Sequence, residues 1–239
     1  MKLFSSIRTA AFSFVILFPG FSSLRAQEQQ SKNVTLSRFS EISVSTGLDL
    51  VITRGDTESA RIVATENLID AVVVEQAGNK INIKWKLIQS QKKAWLNRKA
   101  TIYMTYKTLN FLEASSGSSL KTENTLKTDH LDAIVSSGAI IKADIDCGKL
   151  ELKTSSGASA SLSGKATEVK MESSSGSRVN ALELVSDYAT VNASTGAAIR
   201  INVNKSLEPF ASTGGRIRYT GNADLKNFTG SKNGVRKLE

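Results

Sequence analysis

A triplet of two small hydroxyl residues and a glycine recurs through the second half of the chain. It reads Ser115-Ser116-Gly117, Ser136-Ser137-Gly138, Ser155-Ser156-Gly157, Ser174-Ser175-Gly176, Ser194-Thr195-Gly196 and Ser212-Thr213-Gly214. Successive glycines are 21, 19, 19, 20 and 18 residues apart. Ser45-Thr46-Gly47 is an outlying first member. Self-similarity at one period means that one small structural unit is stacked on copies of itself.

The columns flanking the glycines define that unit. Three residues after each glycine stand Leu120, Ile141, Ala160, Val179, Ile199 and Ile217. Five after stand Thr122, Ala143, Leu162, Ala181, Ile201 and Tyr219, and between these columns lie Lys121, Lys142, Ser161, Asn180, Arg200 and Arg218. Seven before the later glycines stand Leu131, Leu150, Val169, Ala189 and Leu207. Apolar residues alternating with polar ones at period two mark strands with one buried face. One repeat cannot bury that face alone, but repeats stacked at the inter-strand spacing of about 4.8 Å can. The sequence therefore predicts an all-β chain whose second half is a parallel β-helix, or solenoid, of 18–21 residues per coil. The glycine column marks a tight corner that needs φ > 0 or a close backbone approach.

Less regular short strands precede the coils. Strand-like runs cover Ile42 to Val44, Leu48 to Thr53, Ala60 to Thr65, Ile81 to Trp85 and Ala100 to Tyr106, and Ala71 to Glu75 is a near-continuous valine run. Glu66 to Asp70 has room for one helical turn. Arg54-Gly55-Asp56 reads as a turn, since a tripeptide match alone carries little information. The organisation expected is a signal peptide over 1–26, a disordered polar segment over 27–34 and a single β-helix domain over 35–235.

Lys2 and Arg8 begin a basic segment, Ala10 to Phe18 is apolar apart from Ser13, and Pro19-Gly20 breaks it. This pattern is that of a secretory signal peptide, too short for a membrane span. Cleavage is expected after Ala26, with Ser22 as the alternative. Removing Lys2, Arg8 and Arg25 with no acid takes the net charge from +9 to +6. With no cysteine beside the cleavage site, the exported chain is not expected to be a lipoprotein. The expected location is periplasm, cell surface or medium.

The opening Phe39 to Ile52, the Ala77-Gly78-Asn79-Lys80-Ile81-Asn82-Ile83 segment and the serial Ser-Ser-Gly coils together resemble the "putative auto-transporter adhesin, head GIN domain" family of secreted bacterial proteins, common in Bacteroidetes. The resemblance covers roughly residues 35–235. It implies a pectate-lyase-like β-helix without recognised catalytic residues, and an adhesin-like role.

Candidate chemistry is sparse. One cysteine, Cys147, excludes an internal disulfide and a cysteine-cluster zinc site. One histidine, His130, excludes a histidine pair. Asp144 and Asp146, two apart on a strand, would share a face as a paired-carboxylate site. The equivalent positions Ser163, Glu183 and Asn202 break that pattern, so both acids read as a solvated coil edge. Asp129-His130 likewise has no partner nucleophile. The most distinctive charge feature is the basic stretch from Lys84 to Lys107, with no acid between Ile81 and Leu112 and with Trp85, Trp95, Tyr103 and Tyr106 interleaved. Trp85 and Tyr103 fit the inward phase. Lys92, Lys93, Trp95, Arg98 and Lys99 lie in the polar connection and are the candidate ligand contacts, suited to an anionic glycan or another envelope component. Export argues against nucleic acid.

The expectation is a non-catalytic surface-binding module with no cofactor and no metal. A carbohydrate-active β-helix enzyme and a structural or regulatory periplasmic protein remain alternatives.

Overall fold

The computed structural model describes residues 29–65, 68–86 and 98–238. The signal-peptide segment and most of the basic connection, including Lys92, Lys93 and Trp95, lie outside them. The strands run β1 (Gln29–Thr35), β2 (Glu41–Val44), β3 (Asp49–Arg54), β4 (Ser59–Thr65), β5 (Val72–Ala77), β6 (Lys80–Trp85), β7 (Ala100–Tyr106), β8 (Phe111–Ala114) and β9 (Ser119–Thr122). They continue as β10 (Leu126–Val135), β11 (Ile140–Thr154), β12 (Ser159–Ser173), β13 (Arg178–Ala193), β14 (Ala198–Ala211), β15 (Arg216–Thr220), β16 (Asp224–Leu225), β17 (Thr229–Gly230) and β18 (Val235–Lys237). A single 3-10 turn, Ile69–Ala71, stands where one helical turn is expected.

The architecture is a stack of parallel coils, as the repeat predicts. Each of β11 to β14 runs from one glycine corner to the next as one bent strand of 14 to 16 residues, rather than as two or three separate short strands. Their neighbours are parallel throughout. The apolar columns read from the sequence are the core: Leu131, Leu150, Val169, Ala189 and Leu207 stack in register and are buried. So are Leu120, Ile141, Ala160, Val179, Ile199 and Ile217 on the other side of the corner. Each fully buried Leu, Ile or Val contributes about 1.5–3 kcal/mol relative to exposure. The coil from Gly176 to Gly196 is one residue longer than the preceding one, and a register shift between Ser161 and Ser163 absorbs the difference; the shorter coil that follows is fitted by shifts between Ala181 and Val185 and between Ser186 and Tyr188.

The corners are tighter than the glycine alone implies. Both the middle residue and the glycine have positive φ: Ser116 52° and Gly117 71°, Ser156 52° and Gly157 71°, Thr195 48° and Gly196 74°. The residue after each glycine donates its N–H to the carbonyl of the first triplet residue, as Ala158 does to Ser155 at 3.1 Å. Two positive φ values and this closing bond define a type I′ turn. A β-branched Thr is rare at positive φ, yet Thr46, Thr195 and Thr213 all sit there. Stacking holds Thr195 and Thr213: the Gly117, Gly138, Gly157, Gly176 and Gly196 N–H groups each donate 3.0 Å to the middle-residue carbonyl of the next coil. The Thr46 hydroxyl instead accepts the Trp85 N–H at 3.0 Å. Six such corners, from Gly117 to Gly214, together with the positive-φ bend at Thr46-Gly47, correspond to a solenoid of about 7 turns.

The first half is wound out of chain order. The β2–β3 coil lies between the β6–β7 coil and the β8–β9 coil, parallel to both. Beyond that end, β4 pairs antiparallel with β7, and β5 with β6. The segment expected to be disordered instead forms β1, which pairs antiparallel with β4 from Gln29↔Thr65 to Thr35↔Ser59. The ladder uses backbone groups alone, so a polar strand with both faces wet closes the β4 edge as well as an apolar one would. Lys32 adds a 2.7 Å ion pair with Asp70.

Candidate functional site

Of the five residues expected to contact a ligand, two are described. Arg98 lies at the entry to β7 with its guanidinium 5.0 Å from the Trp85 ring centre, and partial burial lowers its pKa. Lys99 beside it is exposed. Trp85 is buried at the end of β6, as expected. Tyr103 is not: it is 42% exposed, and Tyr106 takes the inward place. On β7 the even positions Ala100, Ile102, Met104 and Tyr106 face the core, and a phase error of one residue exchanges the two faces of a strand. The exposed Tyr103 ring carries Arg61, 4.8 Å from its centre.

The paired-carboxylate geometry does not form. Between Asp144 and Asp146 the coil turns a corner, marked by Gly164 of the next coil at φ 100° over the Ile145 carbonyl. Asp144 faces one depression, with Lys142, Ser163 and Glu183. Its carboxylate accepts from the Thr125 hydroxyl and, at 3.1 Å, from Ser163. These bonds tie three coils together. Asp146 faces a separate groove of about 790 Å³, with Arg54, Lys107, Lys127, Lys165, Asp129 and Asp187. There it lies 3.5 Å from Lys165. Cys147 in the same groove is buried, and burial, reinforced by the Asp146 charge, pushes its thiol up to about 11. A thiol held neutral at physiological pH is a poor nucleophile.

His130 is oriented by Asp132, two residues on and on the same face, with Nε2 2.9 Å from Oδ1; the preceding Asp129 instead lines the groove. Glu151, one coil above Asp132, completes a group whose ligand atoms lie within 4.8 Å of one another. Lys149 already holds Glu151, lowering the carboxyl pKa through their hydrogen bond and raising its own. A cation here would have to displace that ammonium. The surrounding face alternates in sign, with Lys170–Glu172 at 3.3 Å and Lys205–Asp187 at 2.8 Å.

The sheet face following the glycine corners differs. Its central outward column runs in register through Lys121, Lys142, Ser161, Asn180, Arg200, Arg218 and Arg236. The neighbouring column contains Arg178, Ala198 and Arg216. From Ser159 to Arg236 neither column contains an acid; the neighbouring column reaches Asp49 at its far end, in register with Ser119, and Glu123 pairs with Lys121 at 3.0 Å. The sequence shows the first six members of the central column only as outward positions; that four of the six are cations and none is an acid was the signal that they form a surface.

Chain and fold define a parallel β-solenoid. Residues 38–223 match the family described as "putative auto-transporter adhesin, head GIN domain", and the chain belongs to that family. No curated protein matches the chain. Among solved structures, a putative adhesin from Bacteroides fragilis is 19% identical with a TM-score of 0.76, over 89% of this chain and 98% of that one. One from Parabacteroides merdae is 17% identical with a TM-score of 0.70, over 90% and 98%. A protein from Parabacteroides distasonis described as a putative lipid binding protein is 17% identical with a TM-score of 0.67, over 90% and 98%. These likenesses establish the fold. Among the described residues, no helix is long and apolar enough to cross a membrane.

Proposed function

We propose that the chain is an exported, non-catalytic surface-binding module that contacts an envelope or cell-surface component through the outer faces of its solenoid. The observation that carries this reading is the dispersal of its reactive groups. Asp144 is tied into an inter-coil hydroxyl ladder, Asp146 faces a different depression, and the Cys147 thiol is held neutral. Family membership and the adhesin descriptions of the structural neighbours support it.

The basic connection before β7 is the proposed contact, through Lys92, Lys93, Trp95, Arg98 and Lys99. Binding there weakens as salt rises, because the field of such a cluster is screened over about 8 Å at physiological ionic strength. The test is a glycan array and a whole-cell binding assay on protein beginning at Gln27, with cleavage assays on every hit. Retention without cleavage is the expected result; turnover of a bound glycan would replace this reading with the enzymatic one. Serine at all four cationic positions should weaken binding without lowering the melting temperature. Export is checked by mass spectrometry of the native protein, expected to begin at Gln27, or at Ser23 under the second cleavage site.

A further inference from the structure

The arginine end of this sheet face, whose depression has no acid in its lining, has the geometry of a binding track. Arg200, Arg218 and Arg236 occupy one register column on β14, β15 and β18. They stand about 4.8 Å apart along the solenoid axis, the spacing of paired strands. Arg178 and Arg216 flank Ala198 in the adjacent column, so two guanidinium groups border a small side chain. The resulting depression measures about 470 Å³ and includes Arg178, Arg200, Arg216 and Arg218. The ion pairs found among the described residues all use lysine or histidine, and none engages these arginines. Toward the other end of the column, Asn180 and Ser161 offer uncharged hydrogen-bonding groups before Lys142 and Lys121, where acids reappear: Glu123 pairs with Lys121 at 3.0 Å, and Asp144 and Glu183 line the same depression. From Lys121 to Arg236 the column spans about 29 Å at the strand spacing.

We propose that this face binds a linear acidic polysaccharide of the uronate type, laid along the solenoid axis with its carboxylates over the arginine end. Three features select this occupant. Guanidinium forks match planar carboxylates in bidentate fashion. The cations repeat at an even axial interval close to the length of one sugar residue, as a polymer with one charge per repeat requires and a compact headgroup does not. The hydroxyl and amide groups of Ser161 and Asn180 suit sugar hydroxyls where the charge lapses. The depression lies on the outer surface of the sheet, so a chain can lie across it without an end entering. The inference rests on the surface-binding reading and names a site for it other than the basic connection before β7.

The probe is polygalacturonate, measured by biolayer interferometry on protein beginning at Gln27, with neutral dextran as control. Two variants are compared. One replaces Arg178, Arg200, Arg216 and Arg236 by Gln. Arg218 is left in place because its Nη1 also donates to the Ile217 and Gly234 carbonyls at 3.2 and 3.3 Å. The other replaces Lys92, Lys93, Arg98 and Lys99 by Ser. The expected result is salt-sensitive binding of polygalacturonate and not of dextran, weakened about tenfold or more in the arginine variant and retained in the connection variant. An unchanged melting temperature shows that the arginine variant still folds. Binding kept by the arginine variant overturns the proposal, as does failure of polygalacturonate to bind. Capture of vesicles carrying a phosphorylated lipid, without polygalacturonate binding, also overturns it. Binding of other array glycans or of cells in those cases leaves the surface-binding reading standing; absence of all binding removes both.

Discussion

Two glycines seven residues apart separate backbone strain from steric exclusion. Gly157 lies at a corner with φ 71°, and a Cβ added there meets nothing within 4 Å. Gly164 has φ 100°, and its added Cβ would stand 2.1 Å from the Ile145 carbonyl oxygen and 2.9 Å from Asp144 Oδ1. Gly157→Ala therefore meets only the left-handed backbone cost, about 1–2 kcal/mol. Gly164→Ala meets a comparable backbone cost and must also push a hydrogen-bonded strand away, an overpacking cost of about 1–3 kcal/mol. The sum is about 2–5 kcal/mol, against a total stability of about 5–15 kcal/mol for an ordinary domain. Urea unfolding followed by circular dichroism measures both variants against the parent, with the midpoint and slope fitted separately. Gly164→Ala should lose more than Gly157→Ala by a factor of about two. Equal midpoints for the two variants, or a larger loss at Gly157, would refute the steric account of Gly164 and with it the close inter-coil approach at that corner.

Ser156→Asn should raise the melting temperature slightly, by about 0.5 kcal/mol in stability, because Asn-Gly suits the type I′ turn better than Ser-Gly. The buried hydroxyls of Thr154, Ser173 and Ser177 bond to one another at 2.8 to 3.2 Å. Ser177→Ala alone should cost about 1–3 kcal/mol, whereas Thr154→Val with Ser173→Ala and Ser177→Ala should cost less in the same urea assay. Burial raises the Cys147 thiol from 9.0 to about 11 and the Tyr106 hydroxyl from 10.0 to about 12. Both groups then hold their protons more tightly folded than unfolded, so stability is full below pH about 9 and falls as pH rises toward about 12. Cys147→Ala with Tyr106→Phe should flatten that decline in thermal scans between those pH values.

The columns around the glycines were legible because stacked coils place the same residue class at the same depth. Leu131 to Leu207 could be assigned inward without knowing their neighbours. The corner conformation was only half legible: a glycine announces positive φ, but Ser156 and Thr195 adopt it because the coils above and below hold the backbone there. β1 was missed because its pairing uses backbone groups and leaves no apolar period. Tyr103 was misplaced because the aromatic residues on β7 occur at both phases, 103 and 106. The separation of Asp144 from Asp146 depends on a bend whose marker, Gly164, belongs to the next coil. The like charge of Arg200, Arg218 and Arg236 emerges only when residues about 18 apart are written in one column.

The insertion of the β2–β3 coil between two later coils divides the molecule into parts with different folding routes. In the C-terminal coils partners are close in sequence: Thr154 meets Ser173 across 19 residues. The Ser118 hydroxyl meets the Val44 carbonyl across 74 residues. Closing the longer loop costs about 1 kcal/mol more in chain entropy, and the β2–β3 coil has neither flank until both β6–β7 and β8–β9 have been made. High contact order slows that step. The later coils can nucleate locally and grow by addition, whereas the N-terminal third must close as one unit. Shortening the chain from its C-terminal end would therefore shed coils one after another, while deleting β2 and β3 would leave the single β6–β7 coil and its antiparallel strands with no seam to the coils that begin at β8–β9.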